Sequence, residues 1–219
     1  MQIGGFEPFS LCDFPSRPAA VVFTQGCNFR CPFCHNGSLL AIKAGSIPEG
    51  EVLDRLARRR GLLQGVVVSG GEPCLQSDLA AFCGALKALG LAVKLDTNGS
   101  RPSVLRDLLT QRLVDYVAMD VKAPPRLYAT LAGVAVEWDA IRESMSILAA
   151  SDVPHQFRTT VVEPFLSDED LEEIARLLPP GDRLVRQAFR RNLARDPLLR
   201  RVAVTEIKTA RRIEYVHSP

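Results

Sequence analysis

The chain has 219 residues, 47% of them apolar and 24% charged, with a formal net charge of +2. That length holds one substantial core, and that balance excludes a disordered or fibrous chain. So small a charge gives no electrostatic case for nucleic acid or a membrane surface as partner.

No apolar run approaches the length of a membrane span, and Met1-Gln2-Ile3-Gly4-Gly5 lacks the charged start and apolar core of a secretory leader. Six unevenly spaced cysteines do not make a disulfide scaffold, so a reducing, cytoplasmic setting is expected.

Along the chain, Gly5 to Leu11 reads as an extended edge. Short β-branched runs then predict strands at Ala19–Thr24, Gly65–Ser69, Ala92–Asp96, Val114–Asp120, Gln156–Val162 and Arg183–Ala188. Amphipathic stretches between them predict helices at Glu49–Arg60, Ser77–Leu89, Pro102–Gln111, Trp138–Ala150 and Ser167–Leu177. Ser77 and Ser167 suit N-caps, Gly90 suits a helix end, and Asp168-Glu169-Asp170 suits a first turn.

Alternating strands and helices imply right-handed βαβ units around a parallel sheet. Six strands fall short of the eight of a complete TIM barrel. The expected fold is therefore α/β, an incomplete (β/α)6 TIM-like barrel of mostly parallel strands. No repeat or linker divides the chain, so residues 1–219 read as one domain. Its core covers about 15–190, and a basic segment at 191–219 is hard to place.

The polar motifs fall where this fold would gather them. Gly26-Cys27, Gly70-Gly71-Glu72-Pro73, Asp96-Thr97-Asn98-Gly99 and Asp120-Val121-Lys122 each follow a predicted strand. In parallel β/α folds the C-terminal strand ends surround one cavity. Cys27, Cys31 and Cys34 give a C-x3-C-x2-C loop whose thiolates can converge on one metal centre. Three ligands without an obvious fourth suit an iron–sulfur cluster with one open iron. The other reading is structural zinc held by the three cysteines and His35, although adjacent Cys34 and His35 reach one tetrahedral ion only with strain.

Gly70 and Gly71 let backbone approach a ligand, and Glu72 offers a carboxylate to an ammonium group; alone, Gly-Gly-Glu-Pro is also an ordinary turn. Asp96, Thr97 and Asp120 are hard oxygen ligands for a cation, or else a carboxylate cluster that is solvated or paired with Lys122. Cys83 reads as a buried thiol, and Cys74 borders the Glu72 turn. The runs Arg58-Arg59-Arg60 and Arg190, Arg191, Arg195, Arg200, Arg201 read as solvated surface, the latter with a possible acidic partner.

Taken together, these motifs resemble the radical S-adenosylmethionine (SAM) enzymes, and most closely the activating proteins of anaerobic (class III) ribonucleoside-triphosphate reductase. The likeness runs from Ile3-Gly4-Gly5-Phe6 through Phe23 to Asn36 and Ser69 to Pro73. It continues through Leu95 to Gly99, Met119 to Pro124 and Arg158 to Val162. It weakens at Arg186-Gln187-Ala188-Phe189, and beyond Asn192 no motif transfers.

The resemblance implies a [4Fe–4S] cluster on Cys27, Cys31 and Cys34, with SAM on its fourth iron. It implies that Gly70, Gly71, Glu72 and Pro73 meet the methionine amino group, with a monovalent cation near Asp96, Thr97 and Asp120. Asn98, Lys122 and Arg158 would donate to the ribose or carboxylate. Phe33, the His35 backbone and Val161 would contact adenine. The implied reaction is reductive cleavage of SAM to methionine and a 5′-deoxyadenosyl radical, with electrons from flavodoxin or ferredoxin. The radical would abstract hydrogen from a glycine of a glycyl-radical enzyme, most closely an anaerobic ribonucleotide reductase. Two alternatives stay open: a radical SAM enzyme for another glycyl-radical protein or a small molecule such as a deazapurine precursor, and a non-catalytic zinc-stabilised binding module.

Overall fold

The structure, a computed structural model, describes residues 1–163, 165–197 and 199. Seven strands form one sheet in chain order. β1 (Ile3–Ser10) runs antiparallel to β2 (Ala19–Thr24). From β2 the pairing is parallel through β3 (Gly65–Gly70), β4 (Ala92–Thr97), β5 (Tyr116–Asp120), β6 (His155–Val161) and β7 (Leu184–Ala188). Among the described residues β7 pairs only with β6, so the sheet is open on that side. Six parallel strands and an antiparallel edge agree with the expected incomplete barrel.

Helices α1 (Glu49–Ala57), α2 (Leu79–Ala88) and α3 (Pro102–Thr110) connect β2 to β5 in turn. Then α4 (Pro125–Ala132) and α5 (Trp138–Ala149) lie between β5 and β6, and α6 (Asp168–Leu177) precedes β7. None of the described helices is long and apolar enough to cross a membrane.

The alternation of side chains along a strand sorts the core into two layers. Val66, Val68, Val93, Leu95, Val117, Met119 and Phe157 join the main core with the helices. Val67 faces the opposite way, into a smaller cluster with Phe14, Ala19 and Val21, packed by Ala92 and Tyr116. That plug fills one end of the concave face. Toward the strand ends the same face carries Ser69, Lys94, Asp96, Asp120 and Arg158, each an even number of residues along its strand from a plug residue or an interior partner.

Local signals place most boundaries. Ser167 accepts the Asp170 N–H at 3.2 Å and Asp170 accepts the Ser167 N–H at 2.8 Å, a reciprocal capping box. Gly90 takes a left-handed φ of 77° after α2.

Three readings need correction. Ser77 is not the cap of α2, because Asp78 occupies the flanking position and makes no side-chain cap. Helix α1 stops at Ala57, three residues early, as Arg59 and Arg60 enter a turn closed by Gly61 at φ 87°. Helix α4 was not expected at all. Pro125 takes the first helical turn, where a missing N–H costs nothing. The stretch from Arg200 onward, with Arg201 and Lys208 to Arg212, lies outside the described residues.

Candidate cofactor site

The cysteine loop leaves β2 and is held mainly by backbone. Gly26, at φ 99°, donates its N–H to the Leu39 carbonyl at 2.7 Å, and Cys27 donates to that of Leu40 at 3.2 Å. On the other side the Arg30 N–H reaches the Ala132 carbonyl at 2.7 Å, the last residue of α4. Gly133 then turns left-handed, and a Cβ there would stand 2.4 Å from the Arg30 oxygen. The Arg30 guanidinium folds back onto the Cys27 and Phe29 carbonyls at 2.5 and 2.8 Å. Phe29 meets Tyr128 of α4 edge to face. The unexpected helix is thus a seat for the loop.

Cys27 and Cys31 are buried and Cys34 is half-buried. The Phe29 N–H donates to Cys27 Sγ at 3.3 Å, and the Asn36 N–H to the Cys34 thiol. Burial pushes all three thiols above their usual range, Cys27 to about 12, while the Lys122 ammonium pulls each the other way. Without metal they are therefore thiols, and loading a metal must release protons.

The Gly70-Gly71-Glu72 turn packs directly against this loop. Gly71 donates to Thr24 O at 2.9 Å and Glu72 to Gly26 O at 2.8 Å. A Cβ on Gly71 would lie 2.0 Å from Gly26 O, and one on Gly70, itself at φ 114°, 2.3 Å from Thr24 N. Both glycines are needed for backbone to meet backbone.

The Glu72 side chain turns inward and is 1% exposed. Its Oε1 accepts Cys74 N–H at 2.9 Å and Thr97 Oγ1–H at 2.8 Å, while Oε2 accepts Asn98 N–H at 2.7 Å. Burial raises its pKa against the lowering effect of these donors. Glu72 ties the β3 and β4 ends together, so the free carboxylate expected from the sequence is already engaged. Asn98 is also committed, donating from Nδ2 to Asn28 Oδ1 at 2.9 Å and accepting from Ser100.

Deeper on the concave face lies a chain of five charges. Lys94 pairs with Asp96 at 2.5 Å, and Arg158 spans from Asp96 at 3.4 Å to Asp120 at 2.9 Å. Lys122 completes it on Asp120 at 2.8 Å. Burial alone would raise the Asp120 carboxyl, but Arg158 and Lys122 together hold it well below the usual carboxylate range. Lys122, despite burial, is held above its ordinary value by Asp120. Three cations thus meet two carboxylates, leaving one positive charge. Asp96 and Asp120 need no monovalent cation for balance, and Thr97 is turned to Glu72. Asp96 and Asp120 share the Arg158 guanidinium, while the Thr97 hydroxyl donates to Glu72.

The radical SAM superfamily model matches residues 21–178, more than half of the chain. The chain belongs to the radical SAM superfamily. A putative glycyl-radical enzyme activating enzyme of Methanocaldococcus jannaschii is 31% identical over 192 residues, covering 85% of this chain and 79% of that protein. Within the superfamily this chain belongs with that relative's family, and it is an enzyme using a [4Fe–4S] cluster and SAM.

A 7-carboxy-7-deazaguanine synthase of Hyperthermus butylicus is 44% identical over 97 residues. That match takes in 43% of this chain and only 40% of the synthase. The solved structure of TYW1 with a lysine-pyruvate adduct bound has the same fold. Its TM-score is 0.60 at 16% identity, over 78% of this chain and 65% of that one.

For a radical SAM enzyme the donor set fits. Three thiols on one short loop, facing a lysine ammonium, suit a cluster whose ligands must be thiolates. Among the described residues no three His, Cys, Asp or Glu side chains are grouped to hold a single metal ion. A cluster spreads its thiolates over several irons, so it does not ask for that grouping. His35 does not complete a zinc site: its Nε2 accepts the Arg190 N–H at 3.1 Å and its ring stacks on Phe189. With enzyme identity shown, the zinc-module alternative falls.

Phe33 is buried in the main core, and Pro73 starts a buried 3-10 turn at Pro73–Leu75. Val161 packs on the same core at the end of β6, paired with Ala188. Sequence reading missed Lys94, Asn28 and Ser69, whose hydroxyl donates to Asp96 at 3.2 Å. Lys94 could have been found from its even spacing to Asp96 on one strand face.

Proposed function

We propose that this chain installs a glycyl radical on a partner enzyme, and that the partner is an anaerobic ribonucleoside-triphosphate reductase. The observation that carries the reading is 31% identity to an activating-enzyme relative, sustained over 85% of the chain. The resemblance of the Phe23–Asn36, Ser69–Pro73 and Met119–Pro124 motifs to the reductase activators supports the choice of partner. Among the described residues the sheet is open between β7 and β1, which supports a protein substrate, because a polypeptide loop needs a wide approach.

When bound, the cluster, reduced by flavodoxin or ferredoxin, supplies the electron that cleaves SAM to methionine and the radical that takes hydrogen from glycine. The chain's residues hold and orient. Cys27, Cys31 and Cys34 are the proposed cluster ligands. The Gly70–Pro73 turn offers backbone to the methionine amino group, with Glu72 bracing that turn from within. Lys122 and Arg158, held by Asp120 and Asp96, leave the one net positive charge for the cofactor carboxylate. Phe33, Val161 and the His35 backbone line the apolar wall proposed for adenine, with Thr97 and Asn98 fixing the intervening loop. The enzyme would work as one domain, in the cytoplasm, where its six free cysteines stay reduced.

The test mixes reconstituted, reduced protein with SAM and the reductase under anaerobic conditions and looks for a glycyl radical by electron paramagnetic resonance. A radical on the reductase supports the reading; SAM cleavage without it, but with a radical on another glycyl-radical protein, reassigns the partner. The 44% identity over 97 residues to a deazaguanine synthase favours a second reading, a small-molecule substrate. Cleavage stimulated by a deazapurine precursor and by no protein would establish that instead.

A further inference from the structure

The segment after β7 lies across the cysteine loop. Phe189 stacks on His35 with ring centroids 5.7 Å apart and planes 11° from parallel, and Arg190 donates its N–H to the same imidazole. A 3-10 turn at Arg191–Leu193 follows. Arg195 then donates from Nη1 to the Arg30 carbonyl at 2.5 Å, and the Asp196 N–H to the Pro32 carbonyl at 2.9 Å. Arg195 also crosses Gly37, where an added Cβ would lie 3.4 Å from Arg195 Cβ. Ala194 and Leu199 are 0% and 4% exposed, both within the main core.

These contacts bracket two cysteines. The carbonyls on either side of Cys31, at Arg30 and Pro32, both receive donors from this segment. His35 and Gly37 hold the chain just beyond Cys34. Cys27 is fixed separately by the bonds around Gly26 and Leu40. An irregular loop must have its backbone groups satisfied to stay ordered, and ordering it in advance removes an entropic cost from ligand loading.

We propose that residues 189–196 form a strap that holds Cys31 and Cys34 in place before iron arrives, with Phe189 and Arg195 as positioning residues. The proposal rests on the assignment of these cysteines as cluster ligands, but the strap itself belongs to the metal-free chain. It gives a purpose to a stretch where sequence motifs run out.

The test is alkylation of the full-length, reduced, metal-free protein by iodoacetamide, with each cysteine followed by mass spectrometry. Phe189→Ala and Arg195→Ala should each raise the labelling rates of Cys31 and Cys34 about tenfold, the effect of losing one ring stack or bond. Cys27 should change little and Cys83, on the buried face of α2, not at all. Phe189→Tyr, which keeps the stack, should restore the slow rate. Unchanged labelling of Cys31 and Cys34 in both variants overturns the strap. So does an equal rise at Cys83, which would make the segment an ordinary part of the core. Slow labelling that depends on Phe189, in a protein that then builds no cluster, would sink the ligand assignment and leave the strap standing.

Discussion

The cysteine loop and the charged layer beneath it are held by opposite means. The loop is fixed by backbone hydrogen bonds and by glycines that let chain approach chain, at Gly71 against Gly26 and Gly133 against Arg30. The layer is fixed by side chains, with Lys94, Asp96, Arg158, Asp120 and Lys122 in one alternating series. A backbone seat is rigid and intolerant of one added methyl. A charge network tolerates conservative change, and its failures are graded by what is left unpaired.

The largest effect should therefore come from the smallest substitution. Gly71→Ala places a Cβ 2.0 Å from the Gly26 carbonyl, with backbone on both sides and no flexible atom to yield. We expect a loss of about 3 kcal/mol or more in urea unfolding. A wild-type midpoint in that variant would break the contrast.

Arg158→Met should come next, because it strips a shared partner from both Asp96 and Asp120. Lys94 and Lys122 remain, so a loss of about 2–3 kcal/mol is expected, below that of an unpaired buried charge. A loss equal to that of Gly71→Ala would show that the layer is as brittle as the loop.

Asp120→Asn sharpens the same point through pH. The folded-state pKa of Asp120 is depressed, so its stabilisation is complete above its unfolded value of about 3.9. That stabilisation is lost as pH falls through the lower folded value. The variant should be less stable than wild type at pH 7, and the gap should narrow in urea titrations repeated toward pH 3. A gap that widens in acid contradicts the pairing.

Gly50→Ala is the smallest change and has the opposite sign. This glycine sits in the first turn of α1 with nothing within 4 Å of an added Cβ. A gain of about 0.5–1 kcal/mol in the same assay is expected.

The two regions also differed in how far the sequence disclosed them. The β-branched runs at Ala19–Thr24 and Gly65–Ser69 and the position of each motif after a strand made the barrel and its site end legible, because those signals are local. The C-x3-C-x2-C spacing was legible for the same reason. Helix α4 was hidden by Pro124-Pro125, which carries the same letters whether it breaks a helix or begins one. Glu72 read as a ligand carboxylate because nothing local reveals that Thr97 and Asn98, more than twenty residues on, supply its donors. Lys94 drew no reading of its own, since alternation cannot say which face of a strand is the barrel interior. The strap was least legible. Its contacts join residues 189–196 to 30–37, and Arg195 spends its charge on a carbonyl rather than on an acidic partner a sequence might suggest.

The central claim, that the cysteine loop seats a cluster able to cleave SAM, is tested by one comparison. Wild-type protein and Cys31→Ala would be reconstituted with iron and sulfide under anaerobic conditions, reduced with dithionite and assayed for 5′-deoxyadenosine. The account predicts a [4Fe–4S] spectrum and product from the wild type and neither from the variant. Zinc in place of a cluster and no product from the wild type, or undiminished product from the variant, would contradict it.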